Sequence, residues 1–207
     1  MSGADRFRRL WSGYVPGMLG AESRYAVLCP LVEKEDGLHF LLEVRAAQLR
    51  QGGEICFPGG RAEKGESPEA CALRETFEEL AIPPEEVELI GRTDFLCQPG
   101  RFLLQPVLGV VSPAGLAAMR PSAAEVAEVF TVPVSFLQNT PPQVFTYDLA
   151  PNIRDNALYE ALGITPAYRW RGGQTEVPVW HYEGRVIWGI TGRILLNIVR
   201  RLSEPEI

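Results

Sequence analysis

The stretch Phe57–Ile82, FPGGRAEKGESPEACALRETFEELAI, joins a glycine turn to a segment rich in glutamate. Ser67 is a favourable N-cap, and the proline that follows it suits the first position of a helix. Two further prolines directly after Ile82 end such a helix, because proline cannot continue the hydrogen-bond ladder. The sequence therefore predicts a helix from Pro68 to about Leu80.

This helix carries acidic side chains at helical spacing. At about 100° per residue, four apolar side chains share one face, which we predict to be buried: Ala70, Leu73, Phe77 and Leu80. Three carboxylates lie on the opposite face: Glu75, Glu78 and Glu79. Arg74, four residues before Glu78, can anchor it by a charge-assisted hydrogen bond. Like charges at this spacing repel each other, so the face is either simply solvated or binds cations.

The surroundings of the helix favour a cation site. The turn Pro58-Gly59-Gly60 allows a close backbone approach and leaves a carbonyl free for a cation, and Glu66 lies just before the N-cap. Carboxylates with a carbonyl form an all-oxygen site, which suits Mg²⁺ or Mn²⁺ rather than zinc. Mg²⁺ commonly shares its coordination shell with substrate phosphates, so the pattern indicates an enzyme that acts on phosphates.

The same residues resemble the Nudix box, G-x5-E-x7-R-E-U-x-E-E-x-G-U. The matching positions are Gly60, Glu66, Arg74-Glu75, Glu78-Glu79 and Ile82. Thr76 stands where a bulky aliphatic residue is usual, and Ala81 stands where glycine is usual. If Ala81 adopts a left-handed conformation, this costs roughly 1 kcal/mol. Neither departure removes a carboxylate.

The resemblance implies a fold and an activity. The fold is the Nudix fold, of the α+β class, with a mixed β-sheet sandwiched between α-helices, and the activity is metal-dependent hydrolysis of a diphosphate. By resemblance, Glu75, Glu78 and Glu79 are metal ligands, and Glu75 also orients or deprotonates water. Gly60 supplies backbone geometry to the metal site, while Arg74 and Glu66 support the carboxylates as further members of the catalytic set.

A further carboxylate is expected from outside the box. Glu125 follows a loop and begins EVAEVF, where members of this family often place an acidic residue near the metals. A surface glutamate at a strand end is an equal alternative. Glu128 is a weaker candidate than Glu125.

The segment Leu41–Gly60, LLEVRAAQLRQGGEICFPGG, resembles the signature of the coenzyme A pyrophosphatase branch, L-L-T-x-R-[SA]-x3-R-x3-G-x3-F-P-G-G. Glu43 stands where threonine is usual, and two residues instead of three separate Arg50 from Gly53. The expected substrate is therefore coenzyme A or an acyl-coenzyme A, cut to 3',5'-ADP and (acyl-)4'-phosphopantetheine. The alternatives are another nucleoside diphosphate derivative, such as ADP-ribose or NADH, or a Nudix module that binds a nucleotide without cleaving it.

Four residues are candidates for substrate binding: Arg45, Arg50, Gly59 and Gly60. Arginine forks suit phosphate oxygens, but both arginines could instead form ion pairs with carboxylates such as Glu43 or Glu54. Several aromatic residues could stack on adenine or line a pantetheine channel, although packing is the more common role of each: Tyr147, Tyr159, Tyr168 and Trp170.

The remaining chain predicts intermixed strands and helices without a regular βαβ rhythm. Strands are expected at Tyr25–Glu33, Leu38–Val44, 87–96 and 102–111, a loop at 112–124, a strand or short helix at 125–139, a hairpin at 176–190 and a helix at 191–202. Residues 139–175 form an inserted segment with mixed sequence signals, helical only at 155–163. Trp188 is expected in the core.

We assign residues 1–24 to an N-terminal arm, with an amphipathic packing helix around Phe7, Leu10 and Trp11. Residues 25–207 are assigned to one Nudix hydrolase domain.

The amino-acid composition limits the kinds of partner that the protein is expected to bind. The net charge of −6 opposes nonspecific nucleic-acid binding, which needs a basic face. The four cysteines form no C-x-x-C pair, and the two histidines form no metal motif, so a reducing, cytoplasmic setting is expected. No signal peptide or membrane span is evident in the sequence. The expected partner is a small nucleotide, and a homodimer is left open.

Overall fold

The computed structural model describes residues 3–14, 19–20, 23–98 and 102–204. In these residues the α-helices are α1 Gly3–Trp11, α2 Pro68–Leu80, α3 Pro113–Ala118, α4 Val134–Asn139, α5 Ala157–Leu162 and α6 Gly189–Leu202, and a short 3-10 helix spans Pro84–Glu86. The strands are β1 Ser23–Lys34, β2 Gly37–Arg45, β3 Ile55–Cys56, β4 Gly59–Arg61, β5 Val87–Arg92, β6 Leu96–Gln98, β7 Phe102–Val111, β8 Val126–Pro133, β9 Gln143–Leu149, β10 Gly173–Tyr182 and β11 Arg185–Ile187.

The main sheet is mixed, as the sequence predicts. Its central order is β3-β2-β1-β7-β5, with β4 paired to β1, β6 to β7 and β8 to β2. β1 and β7 run parallel from the pair Ser23–Phe102 to the pair Leu31–Val110, whereas the other pairs in this sheet are antiparallel. A second, antiparallel sheet has the order β11-β10-β9.

Helices cover both faces of the main sheet. On one face α2 packs against β1, β4 and β7, and its core includes Leu28, Leu41 and Leu80. On the other face lie α4, α6 and β10, and that core includes Phe40, Trp180 and Leu195. Alternate residues of β1 and β2 point into the two cores, as a pleated strand requires. The predicted α+β sandwich is therefore confirmed.

The bounds predicted for α2 are confirmed, but the predicted buried face is wrong in part. Ser67 caps the helix by accepting a hydrogen bond from the amide of Ala70 at 3.1 Å. The buried residues are Cys71, Ala72, Thr76, Glu79 and Leu80, whereas Phe77 is half exposed. Burial of Thr76 costs little, because its hydroxyl donates to the carbonyl of Ala72 at 2.7 Å. A polar residue whose hydrogen bond is made locally can replace the expected aliphatic one.

Two elements differ from the sequence prediction. The segment 112–124, expected to be a loop, contains α3, which is capped by Ser112 and begins with Pro113. The segment 139–175 contains β9 in addition to the predicted helix α5. All seven residues of β9 are exposed, so burial imposes no alternation of polar and apolar residues on its sequence.

Two predicted packing roles are wrong. Trp188 is 48% exposed at the start of α6, and the tryptophan in the core is Trp180, which donates to the carbonyl of Thr140 at 2.7 Å. The predicted N-terminal helix is present, but Phe7 and Trp11 are each more than half exposed and stack on each other.

Residues 99–101, in the connection expected between β6 and β7, lie outside the described residues.

None of the helices in the described segments is long and apolar enough to cross a membrane.

The end of α2 generates a prediction about stability. Ala81 adopts the left-handed conformation (φ 55°, ψ 27°), and its amide donates to the carbonyl of Phe77 at 2.8 Å. We expect Ala81→Gly to raise the free energy of unfolding by roughly 0.5–1 kcal/mol in urea titrations, because glycine adopts this conformation without a Cβ penalty. Ala70→Gly, an exposed change in the same helix, is the control and should lower it by a similar amount. Equal destabilisation by both changes would contradict this reasoning.

Candidate active site

The site is built where β4 meets α2. Gly59 has φ +152°, and a Cβ there would lie 2.4 Å from the carbonyl oxygen of Ala26 on the neighbouring strand. The amide of Gly59 donates to Oε2 of Glu79 at 2.8 Å. Glycine is therefore needed for the strand to approach β1, and this approach presents a backbone donor to a buried carboxylate.

Gly60 is required for a different contact. A Cβ at Gly60 would lie 2.3 Å from the carboxyl carbon of Glu75, so that carboxylate lies directly on the glycine backbone. The carbonyl of Gly60 accepts a weak hydrogen bond from the Cys71 thiol at 3.6 Å, and the carbonyl of Pro58 accepts from the amide of Leu28 at 2.9 Å. Each of these carbonyls keeps a second lone pair, so the assignment of Gly60 to the metal site stays a prediction.

Arg74 connects three carboxylates. Its Nε and Nη2 donate to the two oxygens of Glu66 at 2.9 and 3.1 Å, which is a bidentate fork. Its Nη1 donates to Glu75 at 2.8 Å and, less closely, to Glu78 at 3.3 Å. The expected pair of Arg74 and Glu78 is present, but Glu66 and Glu75 are the closer partners.

The Arg74 contacts shift the proton affinity of their partners. Its hydrogen bonds, together with the amide of Glu63, lower the pKa of Glu66 to about 2. The hydrogen bonds that Arg74 donates to Glu66 and Glu75 in turn raise the pKa of its guanidinium. Glu66 is therefore ionised throughout the neutral range, and it fixes the orientation of the arginine that holds Glu75.

Two glutamates in the site hold protons more tightly than usual. Burial raises the pKa of Glu79 to about 8, and the charges of Glu43, Glu75 and Glu125 add to this rise. Burial also raises the pKa of Glu75, opposed by Arg74 and assisted by the charges of Glu78 and Glu125. The carboxylates of Glu75 and Glu79 both lie at the Gly59-Gly60 turn, where nearby like charges favour their protonated forms. We call Glu75, Glu78, Glu79 and Glu125 the carboxylate cluster.

Glu43 also acts on this cluster, although its sequence context indicates only a departure from the signature and a candidate ion-pair partner for the arginines. The residue is 1% exposed on β2, where Oε1 accepts from the Cys56 thiol at 3.3 Å. Its Oε2 is buried without a hydrogen-bond partner among the described residues. Burial is the main cause that raises the pKa of Glu43 to about 7. A lone acidic residue inside the apolar run LHFLLEV is the sequence signal that could have indicated it.

Glu125 reaches the cluster from the other side. The amide of Ala46 donates to its carbonyl at 2.8 Å, and the amide of Ser122 donates to the carbonyl of Glu79 at 2.8 Å. These bonds tie the turn before β8 to the loop after β2 and to the end of α2. The side chain of Glu125 is exposed, yet its charge acts on Glu43, Glu75 and Glu79. Glu128, by contrast, forms an ion pair with Arg185 away from the cluster.

Of the two arginines of the upstream signature, Arg45 is the last residue of β2 and Arg50 lies on the loop that follows. Arg45 is partly buried and Arg50 is exposed, and neither guanidinium forms a salt bridge within the described residues. The alternative role of these arginines, ion pairs with Glu43 or Glu54, is therefore not seen within the described residues. The shortened loop is tight, since Gln51 has φ 61° and a Cβ at Gly52 would lie 2.6 Å from the carbonyl oxygen of Ala47.

The aromatic residues of the inserted segment lie in contact with each other. The ring centroid of Trp170 lies 5.2 Å from that of Tyr168 and 6.5 Å from that of Tyr159. Tyr147 is half exposed on β9. Of the four aromatic residues considered for substrate contact, Tyr159, Tyr168 and Trp170 therefore pack against each other.

The cluster suits a divalent cation in its chemistry but does not form a ready coordination shell. Its donors are carboxylate oxygens, the set that Mg²⁺ and Mn²⁺ prefer, and Glu43 contributes a buried oxygen without a partner. In the part of the chain that the structure describes, no three acidic, histidine or cysteine side chains are arranged to hold a metal as they stand. Metal binding therefore requires these side chains to rotate toward a common point.

Comparison with known proteins gives the family of the chain. The family model described as NUDIX domain matches residues 22–143. The Nudix hydrolase NudL of Photorhabdus laumondii subsp. laumondii is 32% identical over 196 residues, which cover 91% of this chain and 90% of that protein. The human protein named mitochondrial coenzyme A diphosphatase NUDT8 is 32% identical over 208 residues, covering 98% of this chain and 79% of its own length.

Among solved structures, that of the Nudix hydrolase RenU from M. Smegmatis has a TM-score of 0.48 at 23% identity. The similarity covers 58% of this chain and 76% of that one.

The two glycines of the turn should respond differently to substitution. We expect Gly59→Ala to lower the free energy of unfolding by roughly 2–3 kcal/mol, because its Cβ meets backbone atoms at a positive φ. Gly60→Ala should lower it by less than about 1 kcal/mol, because the Cβ meets the end of the Glu75 side chain, which can move away. Urea titration of both variants measures this difference. Equal losses would show that the Glu75 carboxylate is as fixed as the backbone.

The raised pKa values predict how stability depends on pH in the presence of a chelator. Between about pH 4.5 and 8 the unfolded chain loses protons that the folded protein keeps on Glu79 and Glu43, so the free energy of unfolding should fall as pH rises. We expect a fall of at least about 1 kcal/mol from pH 5 to pH 8, and a smaller fall in Glu79→Gln. Glu88→Gln, an exposed change on β5, is the control. A rise in stability over this range would contradict the assignment.

Proposed function

The chain belongs to the Nudix hydrolase family, and we propose that it hydrolyses the diphosphate of coenzyme A or of its thioesters. The products are 3',5'-ADP and 4'-phosphopantetheine or its acylated form. The observation that carries this proposal is the carboxylate cluster of Glu75, Glu78, Glu79 and Glu125 around the Gly59-Gly60 turn. An acidic cluster repels a diphosphate unless cations stand between them, so the site suits a cation-dependent phosphate reaction.

Three residues of α2 have the central roles in the proposed reaction. Glu75, Glu78 and Glu79 bind Mg²⁺ or Mn²⁺, with backbone geometry supplied by Gly60. When bound, these ions neutralise the charge of the diphosphate and acidify the attacking water. Glu75 orients that water and accepts its proton, and it needs no large pKa shift of its own once the water is acidified. The water oxygen bonds to phosphorus as the bridging P–O bond breaks, and the bridging oxygen leaves on the second phosphate.

Arg74 and Glu66 have positioning roles. The fork between them fixes the guanidinium, and the guanidinium holds the Glu75 carboxylate against Gly60. This arrangement limits the rotation of Glu75 while leaving its second oxygen outside the Arg74 contact. Loss of either residue should therefore affect turnover through Glu75.

The substrate assignment rests on two observations. The segment Leu41–Gly60 resembles the coenzyme A pyrophosphatase signature, and a relative that aligns with 98% of this chain is named a coenzyme A diphosphatase. Arg45 and Arg50 have no salt bridge among the described residues, so both guanidinium groups are available to phosphate oxygens. We assign them to substrate binding, together with the backbone of Gly59 and Gly60.

A second candidate substrate class is favoured by two departures from the signature. Glu43 replaces the threonine of the signature, and the loop after β2 is one residue shorter than the signature requires, with strained geometry at Gln51. Both changes lie next to the site. They would suit another nucleoside diphosphate derivative, such as ADP-ribose or NADH.

The test of the function is a substrate panel. Purified protein with Mg²⁺ or Mn²⁺ is incubated with coenzyme A, acetyl-coenzyme A, ADP-ribose, NADH or diadenosine polyphosphate in separate reactions, and mass spectrometry identifies the products. We expect 3',5'-ADP from the coenzyme A reactions at the highest rate, and none with excess chelator. Faster cleavage of ADP-ribose or NADH would keep the chemistry and overturn the substrate. Absence of product in every reaction would contradict the proposed function.

The role of the cluster is tested by substitution on α2. We expect Glu78→Gln to lower kcat roughly 100-fold, because it removes a ligand charge while half-exposed Glu78 contributes little to folding. Glu69→Gln is a matched control on the same helix, since Glu69 pairs with Arg92 outside the cluster. Unchanged turnover and unchanged Mg²⁺ dependence in Glu78→Gln would show that the mechanism is wrong.

A further inference from the structure

The least explained polar group near the site is the side chain of Glu43. It is 1% exposed, its Oε1 has only the thiol of Cys56 as a donor, and its Oε2 has no hydrogen-bond partner among the described residues. A buried carboxyl without partners costs free energy whether it is ionised or neutral. The contacts within the chain therefore do not account for its presence.

The position of Glu43 directs it toward the cluster. It follows Leu41 by two residues on β2, so its side chain points to the same face of the sheet, where Leu41 packs in the core beneath α2. The charge of Glu125 acts on Glu43, and the charge of Glu43 acts on Glu79. The side chain thus lies beneath the carboxylates to which the Nudix box assigns metal binding.

A bound cation would remove two unfavourable features of the Glu43 carboxylate. It would give the unpartnered oxygen a ligand, and it would offset the repulsion between Glu43 and Glu79. Arg45 is the cationic residue with an electrostatic effect on Glu43, but it forms no salt bridge with it within the described residues. Side-chain contacts within the protein therefore leave part of the charge uncompensated.

We propose that Glu43 is a further metal-ligating carboxylate of this site, in the place where the coenzyme A branch signature has threonine. This inference rests on the proposed function, because it assumes that the cluster binds divalent ions. It adds an oxygen ligand from β2 to those from α2 and from the turn before β8. The protein should therefore bind Mn²⁺ more tightly, or bind one more ion, than it does with the signature's threonine.

The test uses Mn²⁺ alone as the probe, with no substrate. The full chain is stripped with chelator, and Mn²⁺ binding is followed by calorimetry and by the electron paramagnetic resonance signal of the free ion. We expect Glu43→Gln to lose one bound ion or to weaken at least one site by 10-fold or more, and Glu43→Thr to do the same. Glu54→Gln is the matched control, since Glu54 lies near the same loop and contacts Gln51; it should bind as the parent protein does.

Thermal melting separates a ligand from a structural residue. Without metal, Glu43→Gln should melt at the same temperature as the parent protein or a few degrees higher, because a neutral amide of similar shape removes the like charge beside Glu79. With saturating Mn²⁺ its melting temperature should rise by less than half of the rise seen for the parent protein. A residue that only supports the fold would instead lower the melting temperature equally with and without Mn²⁺.

The outcomes distinguish this inference from the proposed function. If Glu43→Gln and Glu43→Thr bind Mn²⁺ as the parent protein does, Glu43 is not a ligand, and turnover of the parent protein still decides the function by itself. If the parent protein binds Mn²⁺ through Glu43 but cleaves no diphosphate, the inference stands and the proposed function fails. If the parent protein binds no Mn²⁺, both are overturned.

Discussion

The contact between the Arg74 guanidinium and the acidic side of α2 is the interaction on which the site depends. It supplies positive charge to Glu66, Glu75 and Glu78 at hydrogen-bond distance. Without it, these side chains would repel each other and turn outward into solvent. With it, Glu75 is held against a glycine backbone that has no Cβ to displace it. The arginine and the glycine turn therefore act together.

The compensation by Arg74 is local, and it does not reach the deeper carboxylates. Glu79 receives one backbone hydrogen bond from Gly59, and Glu43 receives one from a thiol. Both are buried, and burial is the main cause that raises the pKa of each; the charge of Glu43 adds to the rise at Glu79, and the charge of Glu125 adds to the rise at Glu43. The fold thus places two carboxyls with few compensating partners beneath α2, near Arg45 at the end of β2 and Arg50 on the loop that follows. This arrangement suits cations at the carboxyls and phosphate groups at the arginines.

The sequence predicted the parts of the fold that follow from local rules. The cap at Ser67, the turn between β1 and β2, and the hairpin of β10 and β11 each depend on a few adjacent residues. Burial on α2 was predicted less well, because the periodicity of apolar residues favoured Phe77 over Thr76. In the structure the buried positions are instead occupied by Thr76, which is hydrogen-bonded within the helix, and by Glu79, which accepts from the amide of Gly59.

The same distinction applies to the site. The box residues could be identified because their spacing is a long pattern, and the structure groups Glu125 with them. The position of Glu43 could not be predicted, because it depends on β2 and α2 contributing side chains to the same core, which is a long-range arrangement. The exposed strand β9 escaped prediction for a related reason, since without burial its sequence has no pattern to follow.

The central claim is that these carboxylates bind divalent ions together. The most direct measurement is the anomalous difference density of crystals grown with Mn²⁺. We predict peaks in direct coordination with the carboxylates of Glu75, Glu78 and Glu79. Anomalous peaks confined to other surfaces, with Arg74 still the sole cation at Glu75 and Glu78, would contradict the account.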